Sequence, residues 1–364
     1  MTKKNEIIDK KNYAKKLEKK YKKQDILSMN LDELQVFMID LGAPAYRAAQ
    51  IFEWLHRRGA DSFEKMDNLP KTLRAALEEH CHITPCHLIE TLTSDKDGTH
   101  KFLFALEGDV LIEAVRMEYS FGHSICISTQ AGCRMGCRFC ASATGGLLRN
   151  LIAGEMCAQV YASKQDIQKL SGIVLMGCGE PLDNFDQTIK FLELINHPKG
   201  AAIGGRHITI STCGLIPQIK ELAALGLQIN LAISLHAPND QIRKTLMPIA
   251  SRYPISELIE VCKYYINQTN RRITFEYALV KDINDHPSHA LALAELLTGM
   301  LCHVNLIPVN PGAGDYSPTL RREAEAFAAI LQHKHIQTTI RRTIGSEVNA
   351  ACGQLRAKKM ERTL

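Results

Sequence analysis

The sequence predicts an α/β protein, a partial (βα)6 barrel with a small N-terminal helical accessory domain. Three observations predict it. From residue 122 onward short apolar runs alternate with helical stretches, at a spacing of roughly 30–40 residues, the rhythm of strand–helix units in a parallel sheet. The runs are nearly continuous in Val, Ile and Leu, as strands buried on both faces must be. Polar and glycine-rich segments (GCGEP, STCG, SLHAPND, NPGAG) follow several of them, where a β/α barrel keeps its chemistry.

Each element has its own signal. In LDELQVFMIDLG, Leu31, Leu34, Phe37, Met38 and Leu41 fall at helical steps and the pattern stops at Gly42. YRAAQIFEWLHRRG reads as a second helix with Ile51, Trp54 and Leu55 toward the core; Leu69-Pro70 interrupts, and KTLRAALEEH is a third. The turn DKDGT, from Asp95 to Thr99, separates strand-like ETLTS from KFLFAL, and VLIEAVRM follows. HSICIST, GIVLMG, HITIST, INLAISL, RITFEYAL and HVNLIPV are the barrel strands. EMCAQVYASKQDIQ, FDQTIKFLELI, PQIKELAALG, SELIEVCKYYINQ and SHALALAELLTGM are helices between them. The expected division is a basic arm over 1–30, a helical accessory domain over 31–95, a connecting β-extension over 96–121, the barrel over 122–345 and a C-terminal segment over 346–364.

Composition excludes whole classes. With 364 residues, 45% hydrophobic and 23% charged, the chain is not collagen-like, a disulfide scaffold or wholly disordered. It holds no apolar run of about eighteen residues, the length of a membrane span. MTKKNEIIDKKNYAKK lacks the apolar stretch of a secretory signal, so a cytoplasmic, membrane-free protein is expected. Residues 1–30 carry ten lysines against four acids, an excess of +6 on a chain whose net charge is +5. A basic arm on a near-neutral body suits a polyanionic partner; a solvated lysine-rich tail is the alternative.

Twelve cysteines are many for a reducing compartment. Cys81, Cys86, Cys157, Cys262 and Cys302 read as small buried hydrophobes. Cys133, Cys137 and Cys140 are different: they form CxxxCxxC in a loop after the first barrel strand. A closed structural zinc site wants four protein ligands, and no Cys or His lies within the next sixteen residues. Three thiolates on a [4Fe–4S] cube leave one iron open. A zinc knuckle with a distant fourth ligand stays as the alternative.

CxxxCxxC at the end of the first strand of such a barrel resembles the radical S-adenosylmethionine (SAM) superfamily, and Met176-Gly-Cys-Gly-Glu-Pro-Leu182 resembles its GEP loop. CISTQAGC, CASATGGLLRNL, GEPLDN, ISLHAPND, NLIPVNP and AACGQL then follow in the order seen in the RlmN/Cfr family of RNA adenosine methyltransferases, over about residues 30–357. The resemblance implies one [4Fe–4S] cluster on Cys133, Cys137 and Cys140, two SAM per turnover, and SAM contacts at Gly179, Glu180, Ser211, Ser234, Leu235, His236 and Asn310. It implies that Cys352 is methylated by one SAM and that the radical from a second activates that methyl carbon, which adds to adenine. Cys126 is then the resolving thiol, forming a transient disulfide with Cys352, and Glu113 is the proton acceptor. Cys178 and Cys213, inside the SAM loops, are expected to be packing residues.

The implied activity is methylation of adenine C2 in 23S rRNA, near the peptidyl transferase centre, and in tRNA, just 3′ of the anticodon. A monomer served by an electron donor such as flavodoxin or ferredoxin is implied with it. Pro181 in GEPL resembles the C2 branch; C8 methylation of the same rRNA adenosine is the sister alternative. A non-catalytic RNA-binding protein with a metal knuckle is the alternative from another class, and an isolated thiol in AACGQL speaks against it.

Overall fold

The computed structural model describes residues 23–108, 110–164, 167, 170–309 and 316–341. Fourteen strands are described: β1 (Gln24–Asp25), β2 (Cys81–His82), β3 (His87–Thr93), β4 (His100–Leu106), β5 (Val110–Tyr119), β6 (Gly122–Cys126), β7 (Gln130–Gly132), β8 (Leu147–Asn150), β9 (Leu170–Leu175), β10 (Ile208–Thr212), β11 (Asn230–Ser234), β12 (Ile273–Leu279), β13 (Cys302–Pro308) and β14 (Gln337–Ile340). Ten of them make one sheet, in the order β14-β13-β12-β11-β10-β9-β6-β5-β4-β3. From β6 through β9 to β14 every neighbour pair is parallel, while β3, β4, β5 and β6 pair antiparallel. The sheet ends at β3 on one side and β14 on the other, so among the described residues the barrel is partial and open.

All six expected barrel strands form. The structure adds β14 as a further parallel strand and a helix over Arg321–His333 before it. QTTI carries no apolar run because β14 is an edge strand, half exposed along its length. It is recognised only through its pairing with β13, a non-local fact.

The N-terminal helices form at Leu31–Asp40, Arg47–His56 and Lys71–His80. The first begins with a capping box: the Asn30 side chain accepts the Glu33 N–H, and the Glu33 carboxylate accepts the Asn30 N–H. Leu34, Phe37, Met38, Ile51, Phe52 and Leu55 are buried, while Trp54 is only partly so and donates its indole N–H to Asn68 Oδ1 at 2.6 Å. Two expected boundaries move. Ile26 and Leu27 are core residues, so the folded part begins before residue 30. Residues 87–93 belong to the main sheet as β3 and not to a helical unit. The helical unit sits on the barrel through Asn30 to Glu193 (3.0 Å), Lys190 to Glu33 (2.8 Å) and His56 Nδ1 to Tyr161 Oη (2.9 Å).

β5 serves two cores. Ile112 and Ala114 join the main core with Phe102 and Phe104, while Val115 and Met117 pack with Cys126 in a separate cluster on the lumen side. No described helix is long and apolar enough to cross a membrane.

Candidate active site

A cavity of about 280 Å³ opens at the carboxyl ends of the parallel strands. Cys133, Cys137 and Cys140 all line it, together with Gly179, Glu180, Ser211, Ser234 and His236. Eight of the expected cluster and cofactor residues thus meet in one place although they come from four separate strand-end segments. Leu235 is the exception: its side chain is fully buried in the main core, and its N–H donates to the Glu276 carbonyl at 3.1 Å. Asn310 and Cys352 lie outside the described residues.

The cluster loop is held from behind. Ile127 N–H donates to the Val174 carbonyl and Gly177 N–H to the Ile127 carbonyl, each at 3.0 Å, which extends the β6–β9 pairing beyond both strands. A Cβ at Gly177 would stand 2.5 Å from that Ile127 oxygen, so this close approach requires glycine. Gln130 is a hub that the sequence reading missed. Its side-chain oxygen accepts the Glu180 N–H at 2.8 Å, and its amide donates to Asn150 and Asp183 at 2.8 Å each. Arg134, inside CxxxCxxC, reaches Asp183 at 2.7 Å. Cys178 is buried, and its Sγ accepts the Gly132 N–H at 3.2 Å. It packs behind the loop as expected, whereas Cys213 also lines the cavity.

Glu180 is 4% exposed, with one oxygen accepting the Leu182 N–H at 3.0 Å and the other the Cys213 N–H at 2.7 Å. Burial pushes its carboxyl up, and these donors pull it back toward the anion. The loops after β10 and β11 are gripped by Arg243, a fully buried guanidinium that donates to the carbonyls of Cys213 (2.7 Å), Leu235 (3.2 Å), Tyr253 (3.2 Å) and Ser234 (3.4 Å). Four carbonyl acceptors can satisfy most of a guanidinium's five donors.

His236 has φ 57°, a left-handed conformation disfavoured by about 1–2 kcal/mol outside glycine. Its Nδ1 accepts the Ala278 N–H at 2.8 Å, and its carbonyl accepts from Asn284 at 2.8 Å. Burial first, and Arg243 second, lower its pKa to about 3, so the ring is neutral and Nε2 carries the remaining proton. Phe139, two residues after Cys137, packs edge-on against it at 4.9 Å.

The donor set suits an iron–sulfur cube. Three soft thiols share one wall of the cavity, and no three His, Cys, Asp or Glu side chains among the described residues close around a point that one ion could occupy. Three thiols on one cavity suit a larger group with an open corner. Burial pushes the Cys133 thiol up to about 12 and raises Cys137 as well, so metal must displace their protons on binding.

Beneath this cavity a polar lumen of about 670 Å³ runs between the strands, with Met176 and Glu276 lining both spaces. Met176 also packs on the cluster that contains Cys126. Cys126 pairs with Val115 on one side and Val174 on the other, so its thiol, 6% exposed, belongs to the lumen face. Glu113, two residues before Val115, is on that same face of β5. Such diagonal cross-strand neighbours stand about 7–8 Å apart. Ser128 fixes the strand behind Glu113: its hydroxyl donates to the Glu113 carbonyl at 2.8 Å and accepts the Cys178 N–H at 3.0 Å. Glu113 itself is 5% exposed and ion-paired to Lys101, Nζ to Oε2 at 3.0 Å. Lys101 was missed by the sequence reading; the available signal was one cation inside KFLFAL facing one anion inside VLIEAV on adjacent strands.

Two family models match the chain: the ribosomal RNA large subunit methyltransferase N-terminal domain over residues 24–83 and the radical SAM superfamily over residues 127–294. The chain is 50% identical over 341 residues to the probable dual-specificity RNA methyltransferase RlmN of Alkaliphilus metalliredigens, covering 93% of this chain and 97% of that one. It is also 50% identical to the protein of the same description from Clostridium novyi, covering 92% and 98%. A crystal structure of a radical SAM methyltransferase from Sphaerobacter thermophilus superposes with a TM-score of 0.88 at 42% identity, covering 91% of this chain and 98% of that one. With relatives matched at that identity nearly end to end, and with the site assembled as described, the chain belongs to the RlmN family of radical SAM RNA methyltransferases.

Proposed function

We propose that this protein methylates C2 of adenine in 23S rRNA and in tRNA, through an S-methylcysteine on Cys352. The observation that carries the reading is the convergence of the three thiols with Glu180, Ser211, Ser234 and His236 on one cavity, directly above the face that bears Cys126 and Glu113. Cys133, Cys137 and Cys140 would hold a [4Fe–4S] cluster, which when bound would supply the electron for SAM cleavage. The chain's own residues do the rest. Glu180, Ser211, Ser234, His236 and Asn310 hold SAM, with the backbone of Leu235 and Gly179 beside them. Cys352 receives a methyl group and presents its carbon to the base.

An adenine C2 carbon is electron-poor and cannot attack a sulfonium, so direct transfer fails; a carbon radical on a cysteine thioether avoids that barrier. Glu113 accepts the ring proton, and Cys126 forms a disulfide with Cys352 as the methylated base departs. Two SAM are used per turnover. The N-terminal helices and lysine arm grip RNA phosphates, and the target base is splayed into the site, as base-modifying enzymes require. The reading includes a monomeric cytoplasmic enzyme served by a flavodoxin- or ferredoxin-like donor.

Mass spectrometry of nucleosides from RNA treated with the anaerobically reconstituted enzyme tests this. 2-Methyladenosine in both RNAs is expected; 8-methyladenosine, or unmodified RNA despite SAM cleavage, overturns it.

A further inference from the structure

Lys101 is fully buried on β4 and ion-paired to Glu113 on β5. Lysine is almost never fully buried unless paired. Such a pair is also poor as a stabiliser, because removing both charges from water offsets most of their attraction, and apolar side chains of similar volume often serve as well. Its place in the sheet gives it another use. Lys101 stands opposite Val115, and Val115 opposite Cys126, so one row across β4, β5 and β6 carries the ammonium at one end and the thiol at the other. Glu113 belongs to the neighbouring row, opposite Leu103. The Lys101 side chain therefore crosses diagonally to reach the carboxylate on the lumen face.

We propose that Lys101 is the positioning residue of the base: its ammonium turns the Glu113 carboxylate toward the lumen and balances its charge there. This rests on the reading that Glu113 accepts the ring proton. A carboxylate can take a proton only while ionised, and a buried carboxylate without a counter-charge converts to the neutral acid. The ammonium, 3.0 Å from the carboxylate, supplies that counter-charge and restricts the rotation of a side chain that must meet one carbon-bound proton. In the step itself the C–H bond breaks, its electron pair stays with the ring, and the proton moves to a Glu113 oxygen. Lys101 takes no part in the transfer. The pair then carries one net positive charge, which favours passing the proton onward once the base has left.

The test uses the reconstituted full-length enzyme with SAM and a tRNA transcript. Covalent RNA–protein adduct is read on denaturing gels, beside methylated product and 5′-deoxyadenosine. Glu113→Gln is expected to accumulate adduct. Lys101→Gln, which keeps a hydrogen-bond donor and removes the charge, should do the same, with release slowed by about 100-fold, the usual scale for removing a general base. It should still form one equivalent of 5′-deoxyadenosine. Lys101→Arg restores the charge from a different geometry and should slow release by only about three- to tenfold. The double variant Lys101→Gln/Glu113→Gln should be no slower than Glu113→Gln alone.

Adduct in Glu113→Gln with normal turnover in Lys101→Gln overturns the inference and leaves the reading of Glu113 intact. Normal turnover in Glu113→Gln overturns that reading instead. Loss of 5′-deoxyadenosine in Lys101→Gln, with its melting temperature unchanged, also overturns the inference by placing Lys101 before the radical step. Should Lys101→Gln fail to fold, Lys101→Arg decides: slowed release with intact SAM cleavage supports the role, and release at the parent rate overturns it.

Discussion

The carboxylate of Glu180 accepts the backbone N–H of Cys213 across the cavity at 2.7 Å, tying the loop after β9 to the loop after β10. The residue expected to bind the cofactor is therefore also a strut between two loops that line its site. Replacing Glu180 with Ala removes this bond and the one from Leu182. Hydrogen bonds to a charged group contribute about 1.5–3 kcal/mol each, so a loss of about 3 kcal/mol or more in stability is expected. SAM affinity, measured by equilibrium dialysis, should fall together with the melting temperature. Glu180→Gln keeps the acceptor oxygen and should recover part of the stability. Equal melting temperatures for Glu180→Ala and the parent would show that the strut carries no weight.

The proposed function gives Cys126 and Cys352 different jobs. In Cys126→Ala, methylation of Cys352 and addition to the base should proceed while release fails, so RNA accumulates bound to the protein. The adduct should vanish in the double variant with Cys352→Ala. Normal turnover in Cys126→Ala, or an adduct mapped to another cysteine, would refute the assignment.

His56 makes stability depend on pH. Burial, with His197 nearby, lowers its pKa from 6.5 to about 3, and its Nε2 has no partner among the described residues. The unfolded chain binds a proton there below 6.5 and the folded chain does not until about 3. Its contribution is thus complete above pH 6.5 and is lost as pH falls, by about 1.4 kcal/mol per unit across that window. Urea melts at pH 7 and pH 5 should show a drop in stability smaller by about 2 kcal/mol in His56→Gln than in the parent. An unchanged drop would mean that the ring reaches solvent.

The +6 excess of residues 1–30 should make RNA binding steep in salt. Deleting residues 1–22 should flatten the plot of log K against log salt by roughly 0.7–0.9 for each phosphate that the arm neutralises. A slope identical to that of the full chain would leave the arm without a role in binding.

Much of this site was legible in the sequence because its parts are local. CxxxCxxC, GEP, STCG and SLHAP each sit at a strand end, and the barrel topology brings strand ends together. Gln130, Arg243 and Lys101 were not legible. Each acts on a partner from another loop or strand, Glu180, the Cys213 carbonyl and Glu113. Gln130 and Arg243 look like ordinary polar residues until the loops are folded over them. Lys101 stands two residues after the turn DKDGT and begins an apolar run, so its local context reads as a strand terminus near solvent. Only the antiparallel register of β4 and β5 carries it inward. The strand β14 escaped for a related reason: an edge strand needs no apolar alternation to be held by its one neighbour.

The double allegiance of β5 bears on which parts of the molecule can breathe. Ile112 and Ala114 anchor it in the main core, while Val115, Met117 and Glu113 form the wall on which the base would be worked. A strand held from both sides cannot open locally without disturbing both packings, so slow exchange of its amides with solvent water is expected. The face on which the base would be worked is then expected to exchange slowly. Whatever flexibility admits and releases a bulky polynucleotide must be supplied by other segments, which can yield while Glu113 and Cys126 hold their spacing.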